Sequence, residues 1–118
     1  MYDRTILPNG LRIVSSTMPH VRSVSTGIFV GAGSRYEDER TAGASHFLEH
    51  MLFKGSEKRP EPQLISGAIE SVGGIFNAST DREATIYYTK VGRDHFDVSL
   101  DVLIDMYRSP LFISEELE

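Results

Sequence analysis

Residues 41–59 read TAGASHFLEHMLFKGSEKR. On a helical wheel Ala44, Phe47, Leu48, Met51 and Leu52 form one apolar stripe, which predicts an amphipathic helix ending near Gly55. His46, Glu49 and His50 fall on the opposite side, with Phe53 also on that side. Histidines at i and i+4 stand about 40° apart on a helix and can reach one ion. Glu49 lies about 60° from His46, away from His50, and shares their face. The order is the reverse of H-E-x-x-H and keeps its parts: two neutral imidazoles, one carboxylate base and one activated water. His46 and His50 are the candidate metal ligands and Glu49 the candidate general base. A plain solvated helix face is the competing reading. Against it stand the apolar opposite face, which predicts a helix pinned in a core, and a spacing that meets the ligand and base requirements together.

Composition bounds the chemistry. The 118 residues suit one small domain, 25% charged and 40% hydrophobic, with no linker. There is no cysteine, so thiolate metal sites and disulfides are excluded and any metal must use His, Asp or Glu. A net charge of −5 argues against nucleic acid as the main partner. The short basic cluster of Lys54, Lys58 and Arg59 reads as a solvated loop. No apolar run approaches the roughly 20 residues that span a bilayer. The start, MYDRTILPNG, lacks a basic region followed by an apolar one, so a soluble, cytoplasmic protein is the expectation.

Outward from the helix, residues 4–16 predict a hairpin with Asn9-Gly10 as a two-residue turn. Residues 23–33 predict a strand ended by Gly31 and Gly33. After Pro60 and Pro62, residues 63–74 predict a helix with Leu64, Ala68 and Val72 on one face, widened by Ile65 and Ile69. IFNAST (75–80) and EATIYYTKV (83–91) predict two strands joined at Asp81-Arg82. A helix over about 94–109 follows, capped by Asp94, with Phe96, Leu100, Leu103 and Tyr107 on one face. Ser114, Glu115 and Glu116 read as the start of another helix. The fold class is α+β: an antiparallel sheet with helices packed on one face. His20 and His95 read as structural, and no serine sits in a G-x-S-x-G setting.

HFLEHMLFKG resembles the inverted zinc motif of the pitrilysin, insulysin and mitochondrial processing peptidase family, the inverzincins. GAGSRYE (31–37), GGIFNAST (73–80), REATIYY (82–88) and SPLFISEELE (109–118) are similar to it in the same order, and ILPNGLRIV resembles the opening hairpin of bacterial members. The resemblance covers essentially the whole chain. It implies a zinc metalloendopeptidase with one ion per complete site, held by His46 and His50, with Glu49 as general base. It implies that Asn77 and Ala78 lie on the strand to which an extended peptide substrate pairs. The family's third zinc ligand is a glutamate expected beyond Glu118, and its members have a second half that closes around the peptide. The chain is therefore read as a single partial domain, the N-terminal part of a peptidase half-domain. Its partners are then a peptide or unfolded polypeptide and the C-terminal remainder of the peptidase. Alone, it is expected to bind zinc weakly or not at all, to cleave nothing, and to self-associate through an uncovered sheet face and free strand edge. A non-catalytic partner subunit and a small structural domain with an accidental motif are the other readings.

Overall fold

The computed structural model describes residues 2–112. Strands β1 (Asp3–Ile6) and β2 (Arg12–Ser15) pair antiparallel as a two-stranded ribbon. The turn holds three residues, Pro8, Asn9 and Gly10, rather than the two expected. Gly10 N–H donates to Leu7 C=O at 2.9 Å, and the Asn9 side chain accepts from Leu11 N–H. Only the third position needs a positive φ, and Gly10 supplies it at 91°. A two-residue turn of the I′ kind would have required it of Asn9 as well.

β3 (Ser23–Val30) begins the main sheet, and α1 (Ala44–Leu52) and α2 (Pro62–Glu70) follow. Then come β4 (Ile75–Thr80), β5 (Thr85–Gly92) and α3 (Phe96–Arg108). The sheet is antiparallel in the order β3-β5-β4, so β4 is an edge strand. Thr80 pairs with Thr85 and Asp81 N–H donates to Ala84 C=O, which puts Arg82-Glu83 at the turn, one residue later than expected.

Alternation sorts the sheet residues by face. Ile28, Val30, Phe76, Ala78, Tyr87 and Val91 point inward, where α2 and α3 meet them. The buried centre is Leu52, Ile65, Ile69, Tyr87, Val91, Val102, Leu103 and Met106. Each such aliphatic side chain contributes roughly 1.5–3 kcal/mol by leaving water. This is the predicted α+β arrangement, with α2 and α3 on one face.

The helical faces are rotated from the expected ones. In α2, Ile65 and Ile69 form the buried centre and Leu64 is half exposed. In α3, Ser99, Val102, Leu103 and Met106 are buried, whereas Phe96 and Tyr107 are partly open. Asp94 makes no side-chain cap; a 3-10 turn at Arg93–His95 leads into the helix instead. In α1 only Met51 and Leu52 are buried, and Phe47 and Leu48 remain 44% and 46% exposed. The helix rests on the sheet near its C-terminal end, so half the stripe is uncovered among the described residues. Ser114, Glu115 and Glu116 lie outside those residues. No described helix is long and apolar enough to cross a membrane.

Candidate metal centre

From Ala44 to Leu52 the chain has no glycine, proline or β-branched residue, and α1 runs unbroken through ASHFLEHML. One turn apart, His46 and His50 bring their Nε2 atoms within 3.1 Å of each other, with ring centroids 4.6 Å apart. The Glu49 carboxylate joins them, all three ligand atoms lying within 4.8 Å of one another. Both histidines are exposed and Glu49 is half-buried. Two nitrogens each about 2.0–2.1 Å from a tetrahedral zinc stand about 3.3–3.4 Å apart. The observed spacing is close to that, and a donor set of imidazole and carboxylate without thiolate suits zinc.

Three anchors hold this helix. At its N-terminal end the Glu37 carboxylate accepts the backbone N–H of Gly43 at 2.9 Å and of Ser45 at 2.8 Å. It thereby satisfies open donors at the positive end of the helix. Hydrogen bonds from Ser45, hydroxyl first and then backbone, and from Gly43 hold the Glu37 carboxyl below the usual glutamate range. The loop carrying Glu37 lies on the β4–β5 turn: Arg35 N–H donates to Arg82 C=O at 2.8 Å. Gly33 makes this approach possible, since a Cβ there would stand 2.2 Å from the Asp81 carbonyl oxygen.

At the other end, Phe53 turns into the core against Phe76, with ring centroids 4.9 Å apart, and not onto the site face. The loop beyond it is fastened to α3. Ser56 Oγ donates to the buried Asp105 at 2.5 Å, and Arg59 reaches Asp105 at 3.3 Å and Asp101 at 3.0 Å. Lys58 pairs with Asp101 at 2.8 Å. Two of the three residues in the expected solvated loop are therefore bound to helical carboxylates. The ammonium of Lys58 and the guanidinium of Arg59 hold the Asp101 carboxyl low, and Asp101 in turn holds the Lys58 ammonium high.

The third anchor is β4. Thr80 Oγ1 donates to Glu49 Oε2. Neither Thr80 nor Glu37 was among the expected site residues. For Thr80 a signal existed: alternation in IFNAST sends 76, 78 and 80 to the helix-bearing face. Burial, with the Glu49 carboxylate adding to it, pushes the Tyr87 phenol up to about 12, so it stays neutral beside the site.

Asn77 and Ala78 lie on the edge strand as expected, Asn77 on the exposed face and Ala78 on the inner one. Asn77 Oδ1 accepts the Ala78 backbone N–H at 2.8 Å. Glu83 is ion-paired with Arg35. Neither it nor His20 or His95 joins the three-residue group among the described residues. Glu115, Glu116 and Glu118 lie outside them. A cleft of about 270 Å³, lined by Glu37, His46, Thr80 and Arg82 among others, opens beside the histidines. A second cleft, of about 750 Å³, shares Ser34, Asp81 and Arg82 with it.

Comparison with known proteins adds the following. The signature of Insulinase (Peptidase family M16) matches residues 12–118. An uncharacterized zinc protease of Streptomyces coelicolor is 46% identical over 98% of this chain and 25% of its own length. The uncharacterized zinc protease YmxG of Bacillus subtilis is 43% identical over 100% of this chain and 29% of its own. The mitochondrial-processing peptidase subunit beta of Dictyostelium discoideum is 42% identical over 97% and 24%. The chain thus spans 24% to 29% of the length of these relatives.

Proposed function

The chain belongs to the insulinase family, peptidase family M16, and from that premise we propose that it is the metal-motif part of a zinc metalloendopeptidase acting on extended peptides. His46 and His50, whose Nε2 atoms converge, would hold zinc. Bound zinc supplies a Lewis acid that polarises a carbonyl and makes water acidic enough to attack near neutral pH. Glu49 receives the attacking water's proton on its carboxylate and hands it to the departing amine. A glutamate beyond Glu118 would complete the ligand set. The substrate pairs its backbone with the β4 edge at Asn77 and Ala78, displacing the Asn77 side chain from the Ala78 N–H.

The observation that carries this reading is the convergence of two imidazole nitrogens 3.1 Å apart with a carboxylate on the same side. Glu49→Gln in the full-length protein is the test. Turnover is expected to fall at least about 1,000-fold, at the strong end of what a general base contributes, with zinc retained stoichiometrically. A variant that still cleaves peptide at the wild-type rate overturns the assignment of Glu49, and an intact site with no peptidase activity favours a non-catalytic subunit. The 118-residue chain alone is proposed to bind zinc weakly or not at all and to cleave nothing; tight stoichiometric zinc with peptidase activity would contradict that. Phe29 and Ile75, 73% and 58% exposed on the uncovered sheet face, support self-association of the isolated chain, which light scattering would read. A cytoplasmic location belongs to the same proposal and is checked by cell fractionation.

A further inference from the structure

The Glu49 carboxylate has one partner that the mechanism above leaves unused, the Thr80 hydroxyl. Thr80 is the last residue of β4, half-buried on the face that meets α1. Its backbone is fixed on the other side by pairing with Thr85, whose own hydroxyl donates to Ala32 C=O at 2.9 Å. A glutamate on a helix has three rotatable bonds, and as a base it must present one chosen oxygen to water. A hydroxyl that donates to Oε2 leaves Oε1 with its lone pairs free and limits the rotation of the group. The strand supplying that hydroxyl also carries Asn77 and Ala78, so the segment that would hold the peptide sets the orientation of the base as well.

We propose that Thr80 is a positioning residue for the proton transfer: its hydroxyl fixes the Glu49 carboxylate so that Oε1 faces the water. This rests on the reading of Glu49 as the general base. A positioning partner of this kind typically contributes 10- to 100-fold. The test uses the full-length protein with Thr80→Val, Thr80→Ser, Glu49→Gln and the Glu49→Gln/Thr80→Val pair. Thr80→Val keeps shape and strand preference while removing the donor. It is expected to lower kcat about 10- to 100-fold, with KM within about threefold and zinc stoichiometric. Thr80→Ser keeps the donor and should remain within about threefold of wild type. Adding Thr80→Val to Glu49→Gln should cost nothing further, because the group being oriented is gone. Thr80→Ala repeats the comparison if the valine variant does not fold. A wild-type kcat in Thr80→Val beside an inactive Glu49→Gln overturns this proposal alone. So does equal loss in the serine and valine variants, or an additive loss in the pair. An active Glu49→Gln overturns the base assignment and this proposal with it.

Discussion

Between the loop after α1 and α3, all four carboxylate oxygens of Asp101 and Asp105 accept a hydrogen bond. Asp105 receives Ser56 and Arg59, and Asp101 receives Lys58 and Arg59. Along the open face of the same helix, His46, Glu49 and His50 bring lone pairs together, with Thr80 donating to one carboxylate oxygen. The first cluster is complete in itself, and its effect is to tie the loop after α1 to α3. The second has a surplus of lone pairs around one point, which is the condition a cation relieves. A polar cluster therefore declares its role through its donor balance more than through its burial or its charge.

The comparison is broken most severely by exchanging the two roles. His50→Ala should lower zinc affinity of the full-length protein by more than about 100-fold, the range already reached when a ligand's supporting partner is lost. It should leave hydrogen exchange in α3 unchanged. Asp105→Ala should do the reverse. It leaves the Arg59 guanidinium, 18% exposed, without its buried partner, and should destabilise the region by about 3 kcal/mol. Hydrogen exchange in α3 and residues 53–60 would rise while the zinc content at low temperature is retained. If either variant fails in the other's assay, the two clusters are one unit.

A smaller effect comes from a hydroxyl that belongs to neither cluster. Thr89 Oγ1 is buried without a hydrogen-bond partner among the described residues. Thr89→Val keeps the shape, removes the orphan donor and should stabilise β5 by about 1 kcal/mol, read as slower exchange of its amides. The smallest effect sharpens the role of Glu37. Its folded pKa lies below the ordinary 4.5, so its hold on α1 is fully present above that value. The hold is lost as pH falls through the lowered folded value. Amide protection at Gly43 and Ser45 should decline across that acid range, and Glu37→Gln should flatten the decline.

What was legible in the sequence was local. The i, i+4 histidines, the glutamate beside them, the strand alternation and the turn glycines all act within a few residues. They placed the sheet, the three helices and the metal triplet. The contacts missed join distant segments: Thr80 to Glu49 across 31 residues, Arg59 to Asp105 across 46, Glu37 to Ser45 around a loop. Periodicity assigns at most a face, as alternation does for Thr80; the pairings themselves follow from how finished elements pack. The helix faces erred for a related reason. A wheel shows that Leu64 and Ile65 are both apolar, but only the position of α3 and the sheet decides that Ile65 is the one covered.

Gly33 has a consequence for anyone wishing to transplant this zinc motif. Its bare backbone lets the loop that carries Glu37 lie directly on the turn that follows Thr80. The helix HFLEH, the GAGSRYE loop and the end of the NAST strand are thus a single graft. A scaffold that receives the helix alone would carry the donors without the two supports that aim them.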